Sequence, residues 1–179
     1  MAIVEKDVIK CEAVFDSDKK HRFILRRSWN KDAPVAMGIT INPNTSTNLI
    51  FDATTQYTMN NIARLGHYGG VVMVNLYSRL TSKLDFKNNS PDELNHPEND
   101  EYILKAASEA EVIIIAYGKG IESNKHITER ASEVIKLLEP HRSKMKLISI
   151  GKGMVGAHPL HPSVRKNWTL VDFRCDKDN

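Results

Sequence analysis

Four short apolar runs constrain this chain most: VAMGITI, VVMVNL, VIIIAYG and KLISIG. Each is too short for a helix of its own, and each is apolar without alternation, as in a strand buried on both faces of a parallel sheet. Helical stretches separate them. Asp52 is a good N-cap for ATTQYTMNNIARL, where Thr58, Ile62 and Leu65 share a face and Gly66 is placed to end the helix. DEYILKAASEA reads as a second helix. A third, from His126 to Glu139, carries Ile127, Ala131, Val134, Ile135 and Leu138 at helical spacing and stops at Pro140. Strand–helix alternation implies right-handed crossovers. The expected architecture is therefore a three-layer α/β sandwich with a central four-stranded parallel sheet, its strands near residues 35–41, 70–75, 112–117 and 146–150.

The flanking segments fit around this frame. Residues 8–29 read as a hairpin at one edge, and TLVDFR as a final edge strand. Arg22, Arg26 and Arg27 on the second arm read as solvated charges that defend an edge. The alternative is that one of them reaches an anionic ligand. Tyr77 to about Glu98 forms a long loop, a feature usually functional or mobile in a compact domain. A chain of 179 residues, 41% hydrophobic and 26% charged, fits one domain over residues 1–179. Its net charge of +3 permits a polyanionic partner without demanding one. Cys11 and Cys175 form no CxxC pair, so no zinc ribbon or iron–sulfur cluster is expected; they read as reduced thiols, with a bridge between terminal strands as the alternative. MAIVEKDVIK does not read as a signal peptide and no stretch reads as a membrane span, so a cytoplasmic protein with no membrane partner is expected.

Parallel strands bring all their exits to one edge, where ligands of open α/β sheets bind. Every exit here carries polar residues: Asn42 to Thr45, Asn75 to Ser78, Tyr117 to Lys119, and Lys152 to Ser163. Asn42 and Asn44 offer amides on a loop stiffened by Pro43. Thr54 follows Asp52 in a helical first turn, whose free N–H groups favour an anion. Asn75 ends a run so apolar that its amide can read a heterocycle edge. Tyr77, Gly118 and Lys119 lie on neighbouring exits. In HPLHPS the prolines hold His158 and His161 in fixed directions beside Ser163, and either imidazole can act as acid, base or donor. A metal pair is the poorer reading because no carboxylate or thiol is adjacent. The phosphate-loop pattern GxxxxGK[ST] is missing and no GxGxxG is completed, so no cofactor is expected.

NPNTST with Asp52 and Thr54, then GHYGG, VNLYS, NHPEND, AYG and HPLHPS, together with RFILRRSW, resembles a widespread bacterial and phage family known as domain of unknown function 1643. The likeness covers nearly the whole chain. Asn44 stands where that family usually has Ser, and Tyr117 where it usually has Trp. A more distant likeness is to the uracil-DNA glycosylase superfamily, through Asn42-Pro43, Asn75 and His161-Pro162-Ser163 in that order. Thr40 and Ile41 stand where that superfamily has Gly and an acid or Gln. This second resemblance implies that Asn42 positions a water, Asn75 reads a base and a histidine stabilises the leaving base.

The resulting expectation is a nucleotide- or base-binding pocket, with hydrolysis of an N-glycosidic bond as its chemistry. Asn42, Asp52 and His158 are the catalytic candidates. Asn44, Thr45, Thr54, Asn75, Tyr77, Gly118, Lys119, Lys152, His161 and Ser163 are the binding candidates. The partner is a nucleotide, a nucleobase or nucleic acid. Arg79, Lys83, Lys87, Lys119 and Lys152 would track only a few phosphates, so binding to a strand would be salt-sensitive. The alternatives are a non-catalytic nucleotide or signalling-molecule binder of phage or defence origin, and a protein-interaction module with a vestigial pocket.

Overall fold

The structure is a computed structural model and describes residues 2–44, 49–151, 153–165 and 167–174. Its strands are β1 (Lys10–Phe15), β2 (Arg22–Ser28), β3 (Val35–Thr40), β4 (Gly70–Asn75), β5 (Val112–Ile115), β6 (Met145–Gly151), β7 (Met154–Val155) and β8 (Leu170–Asp172). The α-helices are α1 (Ala53–Arg64), α2 (Pro91–Leu94), α3 (Asn99–Glu109) and α4 (Lys125–Leu137).

The four apolar runs do form strands, and they are mutually parallel: β4 pairs with β3, β3 with β5, and β5 with β6. Every residue of β4 and β5 is buried, which is why neither run alternates. The expectation of a four-stranded parallel sheet is nevertheless corrected. The sheet has eight strands and is mixed, in the order β1-β2-β4-β3-β5-β6-β7, with β8 also on β6. A buried sheet cannot leave backbone N–H and C=O groups unpaired at its margins. On one side β2 runs antiparallel against β4, with Leu25 opposite Met73. On the other, β7 and β8 both pair antiparallel with β6. The hairpin does sit at an edge, but β1 is the outer strand and β2 is interior. A tight turn joins them, in which Asp16 Oδ1 accepts from the His21 N–H at 2.8 Å and Lys19 adopts φ 54°.

Helices cover both faces. Met37, Ile39, Val72 and Val74 face α3 and α4 through Ile103, Ala107, Ile127 and Val134. Ala36, Val71, Met73 and Ile114 lie on the opposite face, packed with Ile62 of α1 and with Ala157, Val164 and Trp168. Along β3, β4 and β5 the period-two alternation sends successive side chains to these two cores.

Local chemistry explains the ends of the helices. Asp52 caps α1, and Gly66, just beyond its C-cap Leu65, takes φ 84°. The segment expected as one long loop contains α2. There Ser90 and Glu93 form a reciprocal capping box, with Pro91 in the first turn.

Candidate functional site

A cleft of about 280 Å³ opens at the carboxyl edge of the parallel strands, over the ends of β3 and β4 and beside the start of α1. The parallel register sets Thr40 beside Asn75, the last residues of β3 and β4. Asn75 is buried, and its Nδ2 donates to Thr40 Oγ1 at 2.6 Å. The exit of β4 is also held from the opposite face of the sheet. Asn99 Nδ2, from the first turn of α3, donates to Asn75 O at 3.1 Å and to Leu76 O at 3.3 Å. Arg130 Nε of α4 donates to Leu76 O at 3.0 Å, while its guanidinium pairs with Asp100 and Glu133. The floor of the cleft is therefore anchored by two buried polar side chains in another layer of the fold.

Asn42 and Asn44 line the cleft beyond β3. Asn42 Nδ2 donates to Thr81 O at 2.7 Å and to Pro43 O at 3.2 Å, tying the β3 exit to the segment that follows β4. Asp52 and Thr54 line the cleft where α1 begins. As N-cap, Asp52 accepts from Thr55 N–H at 3.0 Å through Oδ1, and from the Thr55 hydroxyl at 2.7 Å through Oδ2.

His158 completes the lining from the loop after β7. Its Nδ1 accepts from the Leu160 N–H at 3.2 Å, so the neutral ring carries its proton on Nε2. Burial pushes its pKa down, and the nearby Asp52 carboxylate offsets part of that effect. The imidazole is therefore held as a neutral donor near pH 7. Gly118 seats it. With φ 58°, Gly118 lies so close that a Cβ there would be 2.8 Å from His158 Cβ and 2.9 Å from His158 N. Gly118 thus acts by its lack of a side chain.

The cleft gathers Asn42, Asn44, Asp52, Thr54, Asn75 and His158 from the expected set. Other expected residues do not line it. Tyr77 is buried beneath and donates its hydroxyl to His126 O at 2.9 Å, beside a separate hollow. Lys119 is exposed. His161 is exposed and uses Nδ1 to cap the turn at Ser163, accepting its N–H at 3.3 Å. Thr45 and Lys152, like Cys175, lie outside the described residues.

Arg22 departs from the expectation of a solvated edge. It lines the cleft yet is only 4% exposed, and Arg27 is 1% exposed. The solvated-edge reading holds for neither; Arg26, the third of the cluster, pairs with Glu109. Burial lowers the Arg22 pKa to about 10, with Asp52 raising it and Arg27 lowering it further. It remains a cation at neutral pH. Because β2 runs against β4, its first residue lands beside the β4 exit, where Arg22 N donates to Ser78 O at 2.9 Å. Among the described residues no cluster of three or more His, Cys, Asp or Glu side chains is placed to hold a metal ion.

Residues 22–163 match a family described as a protein of unknown function, DUF1643. The chain belongs to that family. The matched span of this DUF1643 chain begins at Arg22 and ends just past His158, so it includes every residue that lines the cleft. No curated protein and no solved structure matches the chain. The likeness to uracil-DNA glycosylases accordingly finds no support in these comparisons.

Proposed function

We propose that the cleft of this DUF1643 protein binds a nucleobase or small nucleotide, and that it serves hydrolysis of an N-glycosidic bond. The observation that carries the reading is the Asn75 amide. It sits at the cleft floor, bonded to Thr40 and fixed through its own carbonyl by Asn99. A planar amide offers a donor and an acceptor side by side, the complement of a heterocycle edge. The Thr40 hydroxyl both donates and accepts, so it supports the amide in either orientation. In the hydrolytic reading, water adds across the bond between C1′ and the base nitrogen. Its hydroxyl joins C1′ and its proton goes to the departing base. Asn42 would orient that water, Asp52 would face the developing charge on the sugar, and the Nε2–H of His158 would stabilise the departing base.

A second reading, retention of an intact ligand, has its own support. The Asn42 amide nitrogen is committed to backbone carbonyls, and both Asp52 oxygens accept bonds within the α1 cap. The groups best placed to activate water are thus engaged in holding loops.

The deciding experiment incubates the protein with nucleosides, nucleotides and a single-stranded oligonucleotide, and follows free base and retained ligand by mass spectrometry. Base released over time supports the hydrolase. Stoichiometric recovery of an intact compound supports the binder. If every compound comes back unbound and unchanged, the nucleobase reading is wrong.

A further inference from the structure

Among the described residues β1 pairs with β2 alone, so no strand lies along its other edge. Exposed edges are usually blunted by proline, by a bulge or by like charges. Residues 2–14 contain no proline, and the irregularity in β1 comes only at its end, between Val14 and Phe15. The segment leading into β1 is apolar and uncovered. Ile3, Val4 and Val8 are each more than three-quarters exposed, and Ile9 is 42% exposed.

The charges on β1 point to a second copy of the chain as the occupant of this edge. Lys10 and Glu12 lie on the face towards α3, where both line a groove with Tyr102 and Glu109. An antiparallel copy with Cys11 opposite Cys11 sets each Lys10 against Glu12 of the second copy. Centring the pair on Lys10 or on Glu12 instead would set like charges directly opposite, which destabilises. The Cys11 register also sets Val8 against Val14 and Ile9 against Ala13. Val14 packs at the margin of the core under α3 and α4, and Ala13 at the margin of the core under α1. Each core thus gains an apolar cover from the second copy.

We propose that the chain forms a two-fold dimer through β1, with residues 8–14 of the two copies antiparallel and their eight-stranded sheets joined. β1 points the same way as the parallel strands, because β2 runs antiparallel to both β1 and β4. The two-fold reverses that direction, so the two clefts open at opposite edges of the joined sheet, one per copy.

The test is sedimentation equilibrium of the full chain across micromolar concentrations. Wild type should approach twice the monomer mass. Lys10→Glu and Glu12→Lys should each weaken dimerisation about tenfold or more, since two symmetric pairs turn from attraction to repulsion. The double variant Lys10→Glu/Glu12→Lys should restore it. Both side chains are at least half exposed, so none of these changes disturbs a core. In a Cys175→Ser background, diamide should link two chains through Cys11, taking up the two protons and two electrons that the thiols release as the disulfide forms. Opposed residues of an antiparallel pair have Cα atoms about 4.5–5.5 Å apart, within disulfide reach. A monomer at every concentration overturns the proposal. A dimer that ignores the charge reversals, or leaves Cys11 unlinked, is built elsewhere and overturns it equally.

Discussion

Replacing Gly118 by Ala tests whether this glycine seats His158. Two costs arise. The first is conformational: Gly118 has φ 58°, and an L residue there loses about 1 kcal/mol. The second is steric. The new Cβ would stand 2.8 Å from His158 Cβ and 2.9 Å from His158 N, and the latter atom belongs to backbone. Relieving such an overlap costs about 2 kcal/mol, typical of overpacking. Gly66 isolates the first cost, because it has φ 84° and nothing within 4 Å of the added carbon. Gly66→Ala should therefore lower the melting temperature by about 2–4 °C and Gly118→Ala by about 6–12 °C, in calorimetric melts under identical conditions. Gly118→Ala should also weaken the proposed nucleotide binding, since the His158 loop must move, while Gly66→Ala should not. Equal, mild losses for the two variants would refute the seating argument.

Three further outcomes are expected. Asn99→Ala should destabilise the fold by about 1–3 kcal/mol in urea titrations, because buried carbonyls of Asn75 and Leu76 lose a donor, and it should weaken ligand binding through Asn75 although Asn99 does not line the cleft. Asp52→Ala should be less stable than Asp52→Ser by about 1 kcal/mol in the same urea titrations, the worth of the α1 cap that serine retains. For His158, burial lowers the folded pKa below the ordinary 6.5, so between those two values the unfolded chain binds the extra proton. Stability should hold at higher pH, fall as pH drops through 6.5, and level off below the folded pKa, with buried His21 adding the same sign. Melts of wild type and His158→Gln across that window should show a shallower decline in the variant.

The parts of the fold visible in the chain are those that depend on local chemistry. Asp52 as a cap and Gly66 as a stop follow from side-chain reach and backbone freedom, and both stand where expected. The four apolar runs announce buried parallel strands because burial on both faces removes alternation. The full sheet was not legible, since the pairing of β2 with β4 and of β7 and β8 with β6 joins segments distant in sequence or too short to show a pattern. Ser90 and Glu93 did carry a capping-box signal that marks α2, inside a stretch read as loop. In the cleft, Asn42 and Asn75 were traceable because they stand at the carboxyl ends of parallel strands, and His158 because it lies in the stretch that follows the fourth apolar run, although the short antiparallel β7 intervenes. Arg22 was not, because it opens an antiparallel strand and reaches the same edge from the opposite direction. Tyr77 shows the converse: it follows a strand exit, yet two residues past Asn75 it turns below the sheet to bond His126.

The antiparallel seam between β2 and β4 makes the turn at residues 16–21 a gauge for the cleft's charge. Arg22 stands beyond an irregularity at Phe23, where Ile24 pairs with Val14 and Arg22 with Phe15, so a single residue gained or lost in that turn, with β1 held in place, would slide β2 and shift Arg22 from its place in the cleft. The parallel core would keep its own pairings. The lining of the cleft can thus be altered from the hairpin alone, and a relative with a turn of another length would keep this scaffold and Asn75 while losing Arg22 from its place in the cleft.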